Sequence, residues 1–560
     1  MAECKERNCK SECYKTEEKC ILHCTKSNYT DDFRRDDFLA QFYMELIKYI
    51  IKNISIKKFL LIWNKENTEK ISIENYDKII ERVIEYLNND DNIFDKLFEK
   101  RIVFNNIFFP EYDVRDHYDY SIVFRKLKKI HFNFCKFSTS YLDLKKVEVF
   151  FQDCEFMYDY SISNSEILYN QSNVIYEMCL FHDDVSIRKM DDDTNLISHT
   201  LFRDCDFKKD IQMYGMEFKK GIFNNTQFNK YISIDSLIIK NCIVNGDFIL
   251  LKYNIGFLSL EESEFKNKVK IQYSNKIHKA VFYNTSFNDL ADFYESKFIK
   301  SDFERTKFDK IVVFARAEFD EEINFQYTTF GGNAIFKMAI FKNGIDLEDS
   351  IIHGDMNFLK AQISSVGNRE TARIIKHSFD DINNIIEANK YYKIEMKERE
   401  IELKNDNKRN WIEWIVFKIH GISSNHSQNW LLALFWICIV GVFASYFSFY
   451  TIQDKMGNYV HFNLLPFLAT MALSFSIIGC KYIFKRLEKM YYYFVFVFFP
   501  LLYYYTTNDS WFTLFANTIN PFSIMIKGDT LNLGMLIFKV IIAYLMYQFV
   551  VSIRQNTRRK

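Results

Sequence analysis

The densest group of reactive side chains lies at the start of the chain, where CKERNCKSECYKTEEKCILHC holds Cys4, Cys9, Cys13, Cys20, His23 and Cys24. The set Cys4-x4-Cys9-x10-Cys20-x2-His23 offers three thiolates and an imidazole, a closed tetrahedral donor set suited to structural Zn2+. Cys13 and Cys24 are surplus and can stand in for a ligand. An iron–sulfur cluster, redox thiols or an unliganded tail are the other readings of the same residues. A bound zinc ion would fold a segment too short to bury a core of its own. MAECKERNCK lacks an apolar h-region, so no secretory signal is expected and the twelve cysteines are placed in a reducing compartment.

No comparable group of reactive side chains recurs elsewhere in the sequence. The chain has no Gly-rich phosphate loop, no GxSxG elbow and no HExxH pair. His420 and His426, in FKIHGISSNHSQNW, read as hydrogen-bonded histidines at a bilayer entry, and the carboxylates of FDEEINF as a solvated edge. No enzyme activity is expected.

The elements around these residues follow from a different pattern. Phenylalanines recur at 282, 287, 293, 298, 303, 308, 314, 319, 325, 330, 336 and 341, in steps of five or six, and Leu347, Ile352, Phe358 and Ile363 extend the series. The residue two before alternate rings is small: Thr285, Ser296, Thr306, Ala317, Thr328, Ala339 and Ser350. Weaker copies upstream put cysteine in that slot, at Cys135, Cys154, Cys179 and Cys205, where free Cys packs as a small hydrophobe. Cys242, just before Ile243, reads as off register. Short-period repetition marks a solenoid, in which each unit buries its apolar face only against its neighbours.

The small, any, large, any, any rule resembles the pentapeptide-repeat family in its Phe-rich form. That resemblance implies a right-handed quadrilateral β-helix, here over 101–366, with two inward positions per side. The six-residue steps depart from the strict period and predict bulged corners. At ~4.8 Å per coil the repeats would build a rod roughly 50 Å long. The cysteine spacing at 4–23 is in turn similar to small zinc-knuckle or treble-clef-like modules.

Solenoid ends need caps. Helical spacing in DDFLAQFYMELIKYIIKNI and ENYDKIIERVIEYLNN predicts a helical cap domain over 31–100, after the Cys-rich module of 1–30. Beyond the rod, Ile375, Phe379, Ile382 and Ile386 predict one capping helix that runs on through KEREIELK as a charged, solvated stalk, together 367–410. From 411 to 560 the composition changes, and five of six tryptophans (411, 414, 430, 436 and 511) lie there. Trp411, Trp414 and Phe417 predict an interfacial helix. Apolar runs at 430–450, 464–480, 490–505 and 533–553, separated by alternately basic and non-basic loops, predict four spans with both termini cytoplasmic. WFTLFANTINPFSIM reads as an amphipathic surface loop, and Lys539 as a side chain snorkelling outward. The layout resembles the membrane-anchored pentapeptide-repeat proteins of bacterial genomes, for which no activity carries over.

The expected fold class is thus a mainly β solenoid with α-helical caps and a C-terminal α-helical transmembrane bundle, in the cell (inner) membrane. Charge is balanced at 73 basic and 73 acidic residues, so no overall field recruits nucleic acid. Some pentapeptide-repeat proteins imitate DNA, but 282–363 carries 14 acidic and 9 basic residues, only mildly acidic for that role. The function expected is a cytoplasmic-facing scaffold or interaction module, with the lipid bilayer and an unidentified protein as partners, and homo-oligomers allowed. The alternative is an ion channel or transporter regulated by the solenoid.

Overall fold

The computed structural model describes residues 3–456, 494–507, 512–520 and 533–557, apart from short internal segments (7–8, 10, 16, 27–31, 55, 67–69, 73–74, 89–97, 112–119, 143, 145–146, 164–173, 189–195, 225–230, 275 and 406–410), together with 472, 476 and 522. It divides into two units, Met1–Gly367 and Asn368–Lys560.

Helices α1 (Asp32–Asn53), α2 (Ile56–Glu66) and α3 (Tyr76–Asn88) open the first unit. In α1 the buried side chains are Phe38, Leu39, Phe42, Tyr43, Leu46, Ile47, Ile50 and Ile51, whose spacing keeps them on one stripe of a helix. That stripe closes on the first coil of a parallel β-solenoid. The Phe42 ring meets those of Phe109 and Tyr120 at 6.0 and 5.7 Å, and the Tyr49 hydroxyl donates to the Val103 carbonyl at 3.0 Å. Val103 lies in β1 (Ile102–Asn105), which with β2 (Phe108–Phe109) starts the solenoid. Each is the terminal strand of its sheet, where unpaired backbone groups would otherwise invite a foreign strand. A short helix, α4 (Ser121–Lys126), fills the interior of this coil, with Phe124 edge-on to Phe104 and Phe132 at 5.6 and 5.4 Å.

Farther along, the coils become regular. Lys307–Phe308, Val312–Val313, Glu318–Phe319 and Ile323–Asn324 are four successive two-residue strands, each paired in parallel with its equivalent in the next coil. Phe298, Phe319, Phe341 and Ile363 stand in one ladder, at steps of 21, 22 and 22 residues. The phenylalanines of the series are buried and stack along the coils, Phe282 on Phe303 at 4.3 Å and Phe314 on Phe336 at 5.2 Å, within 9° of parallel. Rings of different faces meet edge-on, as Phe303 and Phe314 do at 5.4 Å and 85°, the arrangement the ring quadrupole favours. The stack tapers at its end, where Ile352 and Ile363 are only half-buried.

The uneven steps have a backbone cause. The five-residue steps 303–308, 314–319, 325–330 and 336–341 pass through a turn whose third residue is left-handed: Arg305, Arg316, Tyr327 and Met338 have φ of 56°, 57°, 56° and 60°. The following N–H closes each turn, Thr306 to the Phe303 carbonyl and Ala317 to Phe314, both at 3.1 Å, which is type II geometry. A left-handed non-glycine residue costs roughly 1–2 kcal/mol, and here its own N–H bonds the next coil, Arg316 to Lys337 at 3.0 Å. The six-residue steps 308–314, 319–325 and 330–336 carry their extra residue through corners without a positive φ.

The small residue after the turn is where the coils are tied. Thr306 donates its hydroxyl to the Phe282 carbonyl at 2.6 Å, Thr328 to Phe303 at 2.7 Å and Ser296 to Ile271 at 2.8 Å. Cysteine does the same more weakly upstream: Cys135 to Phe104 at 3.3 Å, Cys154 to Phe132 at 3.5 Å, Cys179 to Phe151 at 3.6 Å and Cys205 to Tyr176 at 3.4 Å. Cys242 belongs to this pattern too, which corrects its reading as off register. Its thiol donates to the Met213 carbonyl at 3.6 Å, and the inward residue two later is Val244, paired with Phe218 and Phe265. A valine in the ring slot hid the register.

The second unit is helical. In place of one capping helix and stalk there are two helices, α5 (Arg369–Asp381) and α6 (Ile385–Asn405). Ile375 and Phe379 are buried as expected, but Ile382 and Ile386 are each 54% exposed. Asn383 takes φ 58° and ends α5, and the Asn384 side chain accepts from the Glu387 N–H at 3.4 Å to start α6; asparagine suits both jobs. The charged run is not a free stalk either. Arg399 and Glu400 pair with Glu413 and Lys418, at 2.9 and 2.8 Å, on α7 (Trp411–Ser424). The exposed apolar face of α7 is Trp411, Ile412, Ile415, Val416, Ile419 and Ile422, while Trp414 and Phe417 turn partly inward.

Helix α8 (Trp430–Met456), a π-turn at Phe494–Phe498 leading into α9 (Phe499–Thr507), α10 (Thr513–Ile519) and α11 (Leu533–Thr557) complete the unit. Among the described residues α11 is the one helix long and apolar enough to cross a membrane, with shorter apolar stretches at Trp430–Ser445 and Val495–Tyr505. Of the run 490–505, residues 494–505 lie in the π-turn and α9, with Pro500 near their junction. The expected span 464–480, apart from 472 and 476, and the basic loop after it lie outside the described residues. Lys539 does not snorkel: it is 3% exposed and its ammonium donates to the Asn520 carbonyl, at the end of α10, at 3.4 Å.

Candidate metal centre

The donor atoms of Cys4, Cys9, Cys20 and His23 all lie within 4.8 Å of one another. These are the four residues singled out by spacing. Cys9 Sγ is 3.7 Å from Cys20 Sγ, and His23 Nδ1 is 3.7 Å from Cys4 Sγ and 3.0 Å from Cys20 Sγ. A tight turn makes this possible, with the N–H groups of His23 and Cys24 both reaching back to the Cys20 carbonyl, at 2.9 and 2.8 Å. Cys4 and Cys20 are buried, Cys9 and His23 half-buried. Burial pushes the Cys20 thiol above, and the His23 imidazole below, their ordinary values.

The two surplus cysteines stand apart from this group. Cys13 donates to the Glu3 and Glu18 carbonyls at 3.3 Å each. Cys24 faces Lys26, whose ammonium lies 3.6 Å from the sulfur and donates to the Ile21 and Cys24 carbonyls at 2.6 and 3.1 Å. Spacing gave no sign of Lys26. It is buried over the rings of Phe38, Phe42 and Phe108 at 5.4, 5.4 and 5.5 Å, and that desolvation lowers its pKa to about 8. The turn is thereby fastened to α1 and to the first coil, where the Phe108 N–H donates to the Leu22 carbonyl at 2.8 Å.

Two other groups hold titratable side chains. Asp159, Asp183 and Asp184 cluster on the solenoid surface, with Lys209 paired to Asp183. In the second unit His426 Nδ1 lies 3.3 Å from His420 Nδ1, and His420 Nε2 lies 3.0 Å from Ser427 Oγ. Ser424 and Ser427 each donate to the side-chain amide oxygen of Gln548 on α11 at 3.0 Å, so the histidines belong to a polar network that ties the α7–α8 turn to that helix.

With this geometry in place, the comparisons bear on the solenoid. Residues 314–362 match the family described as pentapeptide repeats (9 copies). No curated protein and no solved structure matches the chain. The molecule is a β-solenoid with pentapeptide repeats and, among the described residues, one candidate membrane helix, and the repeat solenoid suggests a protein-interaction module.

Proposed function

We propose that this protein is a membrane-anchored scaffold whose solenoid, a right-handed quadrilateral β-helix, presents a rigid cytoplasmic surface to a protein partner. One observation carries the reading. The interior of the regular coils is filled by stacked rings, so what they offer a partner is their outer corners, and these display ordered aromatic and arginine side chains. Arg305 lies over the rings of Tyr283 and Tyr327, at 5.7 and 5.9 Å, and donates to the Tyr283 hydroxyl at 2.8 Å. Tyrosine and arginine held in fixed rotamers lose little entropy on binding and dominate interface hot spots. Anchoring draws support from α11, with Leu533, Ile537, Val540 and Val550 exposed, and from the outward apolar face of α7; the multi-pass arrangement belongs to the proposal. A photo-crosslinking residue at 327 in the full chain, expressed in cells, tests it. A discrete adduct in the membrane fraction, lost on Arg305→Ala, is expected; no adduct from 327, or from Tyr294 and Arg316, which stack at 6.0 Å on a neighbouring corner, removes the reading.

A second reading, conduction or transport through the helical unit, is favoured by Lys539. A lysine buried within an apolar helix of spanning length and bonded to the end of a short helix is the kind of group that marks an intramembrane path. Ion flux in liposomes that disappears with Lys539→Met would favour this reading over the scaffold.

A further inference from the structure

We propose that Cys4, Cys9, Cys20 and His23 hold one structural zinc ion, and that this ion locks the 20–24 turn over the open edge of the solenoid's first coil.

The distances fit a tetrahedron. With Zn–S of ~2.3 Å, two ligating thiolates stand roughly 3.8 Å apart, and with Zn–N of ~2.0–2.1 Å a thiolate and an imidazole nitrogen about 3.6 Å apart. The Cys9–Cys20 and Cys4–His23 separations, both 3.7 Å, match those edges. The Cys20–His23 edge, 3.0 Å, is the length of a direct hydrogen bond and opens by roughly half an ångström when a cation sits between the pair.

The surroundings are those of thiolate ligands. Cys4 Sγ accepts the Cys20 N–H at 3.2 Å, a bond that stabilises negative sulfur. His23 Nδ1 faces the sulfurs, so the tautomer with its proton on Nε2 would leave the Nδ1 lone pair for a cation. Four protein donors leave no open position for water or substrate, so the ion's role is structural.

The role follows from what the site touches. Phe108 opens β2, one of the two terminal strands, and its N–H is bonded from this turn by the Leu22 carbonyl at 2.8 Å. The segment has few apolar side chains of its own, and a metal would supply the folding free energy it lacks. The ion would complete a cap on strands otherwise open to edge-to-edge pairing.

The test uses the full chain, purified in detergent. One zinc per chain by elemental analysis is expected, with a cobalt-substituted form that shows the intense visible bands and sulfur-to-metal charge transfer of a tetrahedral thiolate site. Cys4→Ser and Cys20→Ser should lose the metal, whereas Cys13→Ser and Cys24→Ser keep it. Because the first pair can unfold the segment, His23→Cys provides a further check: it should retain zinc and shift the cobalt charge-transfer band. Removing the metal by chelation should speed hydrogen exchange at the Phe108 amide. Wild-type protein without zinc that takes up no cobalt, metal lost on Cys24→Ser, or an iron–sulfur spectrum would each overturn the assignment.

Discussion

Phe314 stacks on Phe293 one coil earlier, with ring centroids 4.9 Å apart and planes 6° from parallel. It stacks equally on Phe336 one coil later, so a single side chain joins three coils. In a solenoid each unit is stabilised only by its neighbours, and losing this ring weakens two junctions at once. Phe314→Ala should destabilise the solenoid by ~3–5 kcal/mol, the range for a buried Phe→Ala change. Denaturant unfolding followed by circular dichroism checks this; a loss below about 1 kcal/mol would mean that the coils close over the gap.

Thr306 separates packing from hydrogen bonding. Its methyl and hydroxyl fill the same slot, but only the hydroxyl satisfies the Phe282 carbonyl. Thr306→Val keeps the volume and removes the donor, with an expected cost of about 1–3 kcal/mol; Thr306→Ser keeps the donor and should cost less. Equal costs for the two would assign the position to packing alone.

The solenoid cysteines should be silent. Cys135, Cys154, Cys179, Cys205 and Cys242 are at most 2% exposed, and burial raises the Cys242 thiol to about 11. Alkylation needs an accessible thiolate, so in native conditions it should leave these five unlabelled and reach them only on unfolding. Mass spectrometry of the labelled peptides reads the order; early labelling of Cys179 would contradict its place inside the coils.

How much of this was legible follows from where the signals lay. The ring ladder was readable because one large residue recurs with a small partner, and both positions face inward. Cys242 was missed because Val244 replaces the ring. The four donor residues stood out by type and spacing, but Lys26 did not, since a lysine one turn from a cysteine looks like any solvated charge until Phe38, Phe42 and Phe108 close over it. The break at Asn383-Asn384 was present in the sequence as a pair suited to ending one helix and starting another, and the isoleucine periodicity masked it. The pairing of Arg399 and Glu400 with α7 depends on tertiary contact, which charge patterning does not carry.

The buried His426 and the half-buried His420 of the second unit predict a pH response with a definite sign. Burial, then the neighbouring His420, hold His426 down to about 4, and burial lowers His420 as well. Glu400 acts in the opposite sense, while Lys397 and Lys393 reinforce the shift. The folded unit therefore refuses a proton that the unfolded chain accepts below its ordinary histidine pKa of ~6.5. Stability is complete above that pH and falls as the pH drops from about 6.5 towards 4. For His426 alone the loss between pH 7.5 and 5.5 should be about 1 kcal/mol. His426→Gln should flatten the profile over that interval while leaving the dependence due to His420. Thermal unfolding of the full chain at matched ionic strength measures it, and a wild-type profile that stays level, or rises, on acidification would show that these imidazoles are already protonated in the fold.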